Sequence, residues 1–280
     1  MKGLRKLSLP NGDAVPVLGQ GTWKMGDSRS RRKDEVAALQ HGIALGMTLI
    51  DTAEMYAEGG AEEIVAEAIK GRRPKVFIVS KVYPHNASRA GVVAACERSL
   101  KRLRTDRLDL YLLHWRGGIA LSETVAGFED LVKAGKIRSF GVSNFDTADM
   151  RELHRLPGGK AAATNQVLYN LKHRSIEFDL LPWSEKENLP VMAYSPLEIG
   201  SLAKSAAMRR VAERHNMSTA QIALAWVLRR PNVLTIPKAS RIEHVDENRA
   251  AADIVLSGED LADLDSVSPP PRQAGPLEMN

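Results

Sequence analysis

Apolar residues in this chain gather in short runs separated by longer polar-patterned intervals. Eight runs have strand character: VLGQG at 17–21, MTLID at 47–51, VFIVSK at 76–81, LDLYLLH at 108–114, IRSFGVSN at 137–144, ATNQVLY at 163–169, VMAYS at 191–195 and VLTIP at 233–237. Most read as continuous rather than alternating, which is the pattern of strands buried on both faces of a parallel sheet. Ahead of them, LSLP-NGD-AVPVLG predicts an N-terminal hairpin with Asn11-Gly12 as its turn.

The intervals carry helical period. Ser88 is placed to cap a helix with Val92, Cys96, Leu100 and Leu103 on one face. Ser122 opens another, with Val125, Phe128 and Val132 expected inward and Gly135 at its end. Ser218 with Gln221 reads as a capping box before Ile222, Ala225 and Leu228. Ser257 with Asp260 starts a last helix striped by Leu261, Leu264 and Val267. Cys96, Trp183 and Trp226 all fall in helical segments and are expected to pack.

Strand starts near 47, 76, 108, 137, 163, 191 and 233 follow the roughly 30-residue period of a βα unit. The longer last interval has room for an extra helix. The expected fold class is therefore α/β: a (β/α)8 TIM barrel with an N-terminal β-hairpin, as a single domain over 1–280. An open doubly wound sheet fits less well, because Gly19-Gln20-Gly21 is followed by Lys24 where the dinucleotide fingerprint needs glycine.

Composition narrows the class. The formal charge is +5, with 44% hydrophobic and 26% charged residues, the balance of a globular protein. Its densest basic cluster, Arg29, Arg31, Arg32 and Lys33, has no aromatic interleaving and reads as a solvated entry to a helix. No nucleic-acid partner is expected. No apolar run approaches the roughly 18–20 residues of a membrane span, and the N-terminus lacks the apolar core of a signal peptide. The single cysteine excludes an internal disulfide. These features predict a cytoplasmic protein without membrane contact; a monomer is expected, though no feature of the sequence fixes the oligomeric state.

Active sites of such barrels form where the strands end. Here the second run ends in Asp51 with Tyr56 just beyond, the third in Lys81 and the fourth in His114. A lone strand-end carboxylate is usually a cap, a lone lysine solvated and a lone histidine a packed core residue. Four such groups on three neighbouring strands predict one pocket. Asp51 and Lys81 can neutralise each other, as buried charges must. A lysine beside the tyrosine is expected to lower its pKa and ease proton donation. His114 can orient a carbonyl oxygen. This set suits protonating an oxygen that gains negative charge, with a cofactor as hydride source. No metal-ligand spacing is present.

At these residues the chain resembles the aldo-keto reductase superfamily over nearly its whole length. GQGTW, LIDTAEMY, VSKV, LDLYLLHW, GKIRSFGVSNF, NQVLYN, VMAYSPL and IPKASRIEHVDEN carry the likeness, all in order. Within the superfamily it is most similar to bacterial members described as methylglyoxal reductases, through DTAEMYAEGGAE, LLPW and ATNQVLY. The resemblance implies NADPH-dependent reduction of aldehydes and ketones, with NADH disfavoured and small 2-oxoaldehydes as substrates. Asp51, Tyr56, Lys81 and His114 match the catalytic tetrad, Tyr56 being the acid. Ser143, Asn144 and Gln166 match residues that bind the nicotinamide carboxamide, and Tyr194 the ring that stacks on nicotinamide. Ser195 and Leu197 match positions along the pyrophosphate. Lys238, Ser240, Arg241, Glu247 and Asn248 match the segment holding the 2′-phosphate and adenine. Thr22, Trp23 and Asp51 are also expected at the cofactor. Trp23, Tyr56, Tyr83, His114 and Trp115 are expected to line the substrate pocket, with Met25 as a further wall.

Two positions depart from the family pattern. His244 stands where many members have an arginine against the 2′-phosphate, and Ala239 where many have a serine. Neutral imidazole lacks the guanidinium fork, so Lys238 and Arg241 are expected to compensate. The short loop after YSPLEIG and the compact tail imply an open site. Two other functions use parts of the same pattern: a Schiff-base aldolase with Lys81 as nucleophile, and an NADPH-binding sensor without turnover.

Overall fold

Each apolar run forms a strand, in the expected order, in a computed structural model that describes residues 3–279. The hairpin β1 (Lys6–Ser8) and β2 (Ala14–Pro16) is followed by β3 (Gln20–Gly21), β4 (Leu49–Asp51), β5 (Phe77–Val82), β6 (Leu108–Leu113), β7 (Ile137–Ser143), β8 (Asn165–Leu168), β9 (Val191–Tyr194) and β10 (Val233–Thr235). Strands β3 to β10 pair in chain order, every pair parallel. Parallel bridges between Leu18 and Thr235 and between Gly21 and Lys238 join the two ends. The result is a (β/α)8 barrel. The seam needs glycine: a Cβ on Gly21 would lie 2.6 Å from the Ile236 carbonyl oxygen. This is the structural use of the second glycine in GQG.

Among the described residues ten α-helices surround or follow the strands: α1 (Arg32–Ala44), α2 (Gly60–Ala68), α3 (Arg89–Leu103), α4 (Leu121–Lys133), α5 (Thr147–Arg155), α6 (Leu180–Lys186), α7 (Ala206–His215), α8 (Thr219–Leu228), α9 (Ile242–Ala251) and α10 (Gly258–Val267). The extra helix expected in the long last interval is α7. Ser88 caps α3, and capping boxes open α8 at Ser218/Gln221 and α10 at Ser257/Asp260.

Helix α4 departs from its expected form. Its cap is Ala120, not Ser122, and Val132 is 41% exposed while Leu131 is buried. The helix opens two residues earlier, and its inward stripe is Leu121, Val125, Phe128 and Leu131. That choice buries leucine rather than valine, and larger apolar area removed from water contributes more. Cys96 and Trp226 are fully buried, as expected of packing residues. Burial pushes the Cys96 thiol up to about 12. The guanidinium groups of Arg174 and Arg229 both lie over the Trp226 ring, at 4.9 and 3.8 Å from its centroid.

Side chains alternate across each strand, and this alternation builds the site. In β5, Ile78 and Val82 join the layer beneath the helices while Val79 belongs to a second cluster. Lys81 has the parity of Val79. By the same count Asp51 follows Leu49 in β4, and His114 follows Leu110 and Leu112 of β6; these leucines belong to the Val79 cluster. Leu9 and Val15 of the hairpin region join that cluster too. An apolar interior thus ends, at the C-terminal mouth, in a layer of ionisable groups.

Candidate active site

Lys81 is the centre of that layer. It is completely buried, and its ammonium donates to Asp51 Oδ2 at 2.7 Å, to the Thr52 carbonyl at 2.9 Å and to Tyr56 Oη at 3.1 Å. Asp51 accepts a second bond on Oδ1 from Gln166 Nε2 at 2.7 Å. Both carboxylate oxygens therefore face donors, the condition under which a buried charge is tolerated. Burial alone would disfavour the ammonium, but Asp51 and Tyr56 more than offset it and raise the Lys81 pKa. Burial raises the Asp51 carboxyl while Lys81 and Gln166 oppose the rise.

Tyr56 reaches Lys81 because the chain reverses sharply behind it. A 3-10 turn at Tyr56–Gly59 contains three successive left-handed residues, Ala57 (φ 51°), Glu58 (φ 53°) and Gly59 (φ 89°). Glycine adopts this region freely, but alanine and glutamate do so at a cost of about 1–2 kcal/mol each. The turn places the phenol against the edge of Trp23, with ring centroids 5.0 Å apart, and 5.8 Å from the His114 ring. The expectation that Lys81 lowers the tyrosine pKa is met only as an opposing effect. Burial dominates and holds the phenol above its ordinary value of 10.0.

His114 is buried, and desolvation, aided by the Lys81 charge, depresses its pKa to about 2. The ring is neutral at any physiological pH. Its backbone N–H still bonds the Val82 carbonyl at 3.0 Å, so the strand ladder fixes its position. Trp115 packs on it at 4.9 Å and meets Tyr83 edge-on at 5.9 Å. Half-exposed Trp23 and the His114 ring flank Tyr56, with Trp115 and Tyr83 continuing the row beyond His114. Glu54 orders the far side of this rim by accepting from the Tyr83 backbone N–H at 2.9 Å. Met25, expected as a further wall, is fully buried in the core cluster that also holds Tyr56.

Ser143, Asn144, Gln166 and Tyr194 lie on the opposite strands and are already linked. Ser143 Oγ donates to the Gln166 carbonyl at 2.8 Å. Asn144, in the left-handed region at φ 59°, donates to the His114 carbonyl at 3.1 Å and accepts from Tyr194 Oη at 2.9 Å. Ser195 is also left-handed, and its carbonyl accepts from Asn170. Leu197 is half-buried beyond it. Thr22 is fully buried and donates to the Asp51 carbonyl at 2.9 Å, so its hydroxyl ties β3 to β4 beneath the mouth.

The segment after β10 forms a separate polar patch. Lys238, half-buried at the barrel seam, donates to Ser240 Oγ at 3.2 Å. Arg241 hydrogen-bonds His244, whose Nδ1 lies 3.0 Å from Glu247 Oε2. Asn248 is buried in the next turn of α9. Sequence reasoning missed the Thr52 carbonyl and the Met192 sulfur, 2.8 Å from Gln166 Nε2. Backbone acceptors carry no residue signature, so no signal pointed to the first.

The aldo/keto reductase family profile matches residues 17–269, from the barrel seam to the end of α10. The chain belongs to the aldo/keto reductase family. It is 55% identical over 271 residues to methylglyoxal reductase YeaE of Escherichia coli, covering 95% of each chain. It is 35% identical to glyoxal reductase of Bacillus subtilis, covering 94% of this chain and 92% of that one. An aldo/keto reductase from Klebsiella pneumoniae, solved in complex with NADP and acetate, superposes with a TM-score of 0.97 at 53% identity, covering 99% of this chain and all of that one.

For an aldo/keto reductase, the state of Lys81 matters. A Schiff-base lysine must be a free neutral amine. Here it is a charged donor bonded to three oxygens, so the aldolase alternative is not supported. The intact polar layer likewise gives no support to a sensor without turnover. Among the described residues no helix is long and apolar enough to cross a membrane.

Proposed function

We propose that this aldo/keto reductase reduces small 2-oxoaldehydes, methylglyoxal among them, with NADPH, and that Tyr56 is the proton donor. The carrying observation is the buried chain from Asp51 through Lys81 to Tyr56, with bonds of 2.7 and 3.1 Å, beside the neutral ring of His114.

The donor set suits a phosphorylated nicotinamide cofactor. Ser143, Asn144 and Gln166 offer amides and a hydroxyl at neighbouring strand ends, and Tyr194 an aromatic face. Lys238, Ser240 and Arg241 offer cationic and hydroxyl donors to a 2′-phosphate, with His244, Glu247 and Asn248 around the adenine. Ser195 and Leu197 would follow the pyrophosphate, with Thr22 and Trp23 across from them. Bound NADPH supplies hydride to the carbonyl carbon. The protein's part is to manage the oxygen. His114, as a neutral donor, orients it, and Tyr56 protonates it as negative charge develops. The Lys81 ammonium stabilises the phenolate left behind, and Asp51 holds Lys81 charged. The raised tyrosine pKa keeps the donor protonated at rest.

Trp23, Tyr83 and Trp115 wall the substrate side. The small-dicarbonyl reading is supported by the names of the Escherichia coli and Bacillus subtilis relatives. Every proposed group lies on one chain, in a single domain, which is consistent with a monomer; the lone cysteine fits a reducing, cytoplasmic compartment. A panel of aldehydes and ketones, followed by absorbance loss of NADPH and of NADH, tests cofactor and substrate class together. Methylglyoxal is expected among the best substrates, with NADPH preferred. Equal use of NADH, or turnover of bulky ketones alone, would contradict the proposal.

A further inference from the structure

The left-handed turn behind Tyr56 is costly, so something outside it must hold it in place. The second residue of α2 after Gly60 points to what does. Glu62 lies in the first turn of α2, where an acidic residue suits the helix dipole. Its neighbour Glu63 serves that purpose while exposed. Glu62 is instead completely buried, which is expensive for a carboxylate unless both oxygens are matched. They are matched by two different elements. Oε1 accepts from Ser80 Oγ at 2.6 Å, and Oε2 accepts from Arg102 Nε at 2.6 Å.

Both partners adjoin the proposed proton donor's machinery. Ser80 immediately precedes Lys81 and puts a hydroxyl into the helix-facing row of β5, between Ile78 and Val82. Arg102, on α3, lies against the turn itself. A Cβ built on Gly59 would fall 2.4 Å from Arg102 Cδ and Nε. The other side of the turn meets the backbone of Gly26, whose own Cβ would lie 2.6 Å from the Gly60 carbonyl carbon. The turn is therefore closed on both sides, and on the α3 side what closes it is fixed by Glu62.

We propose that Glu62 is a positioning residue for carbonyl reduction. By tying the strand of Lys81 to the arginine that clamps the Tyr56 turn, it sets the separation of ammonium and phenol. The inference rests on the reading of Tyr56 as the acid, and the experiment separates the two. E62Q keeps an acceptor for Ser80 but removes the charge that holds Arg102; R102A removes the clamp directly. Each is made in the wild-type and Y56F backgrounds. The readouts are kcat, KM and, independently of turnover, the NADPH dissociation constant from quenching of protein fluorescence.

In the wild-type background E62Q and R102A should each lower kcat roughly 10- to 100-fold, the scale of a misplaced catalytic group. NADPH binding should stay within about twofold, since only transition-state positioning is lost. E63Q, on the exposed neighbour, should behave as wild type. In the Y56F background, adding E62Q or R102A should change residual kcat by less than about twofold, because residues acting as a unit are not additive. Wild-type kcat in both E62Q and R102A, or the same fold-loss with and without Tyr56, overturns the inference alone. Wild-type turnover in Y56F overturns the assignment of the acid, and this inference with it. If E62Q does not fold, R102A carries the same criteria.

Discussion

The Lys81 ammonium spends its three protons on Asp51, Thr52 and Tyr56, and this governs how the site can be tested. Removing Lys81 would leave a buried carboxylate unpaired, a loss of about 3–5 kcal/mol that confuses folding with catalysis. Tyr56→Phe removes only the hydroxyl. It should lower kcat by roughly 10²- to 10⁴-fold, the usual value of general acid catalysis, with NADPH affinity nearly unchanged. Retention of wild-type turnover would falsify the role of Tyr56. His114 makes a second residue-level prediction. Its pKa is about 2 in the folded protein against 6.5 unfolded, so between those values only the unfolded chain takes up the proton. Stability should therefore fall as pH drops below about 6.5, by up to about 1.4 kcal/mol per pH unit from this residue. Urea denaturation of wild type and His114→Gln at pH 7 and pH 5 should show a shallower pH dependence in the variant. Parallel curves would sink the prediction. The sequence pointed to all four ionisable groups through their place at strand ends. It misjudged the phenol, because desolvation depends on what surrounds a group and not on its nearest charged neighbour.

Among the elements, those with local chemistry were the easiest to read. The box Ser218/Gln221 forms as expected and Ser257/Asp260 starts its helix as a second box, because cap and partner lie within one turn. Ser218→Ala should cost about 1 kcal/mol of stability, measured by chemical denaturation, with catalysis untouched. No change in the midpoint would mean that the cap is redundant with the packing of buried α8. Helix α4 was misread by two residues at its start and by one residue in its stripe, where Leu131 and not Val132 is buried. Serine is a strong cap signal, but the helix already opens at buried Leu121. The turn at Ala57, Glu58 and Gly59 was not legible beyond its glycines. Alanine and glutamate do not favour left-handed backbone, and contacts from Arg102 and Gly26 on other elements support it.

On the scale of the whole molecule, the barrel brings Asp51 and Gln166, 115 positions apart in the chain, to 2.7 Å. It also joins Gly21 to Lys238 across the seam, which sets the proposed phosphate-binding segment beside the mouth. Lys238→Ala should weaken NADPH binding roughly tenfold, as expected for loss of one charge-assisted bond, and leave NADH binding nearly unchanged. Fluorescence titration with both nucleotides measures this, and equal weakening of the two would place Lys238 elsewhere than at the 2′-phosphate.

By itself the sequence determined the order and character of the strands, the closed parallel class and which polar residues stand at strand ends. These follow from periodicity and the roughly 30-residue βα repeat, which are local properties of the chain. Tertiary structure alone decided that the Lys81 ammonium is fully bonded, that the tyrosine pKa is raised, that Met25 is fully buried, and that Glu62 and Arg102 stand behind the Tyr56 turn. Each of these depends on burial or on contacts between distant segments, and neither is written in the spacing of residues.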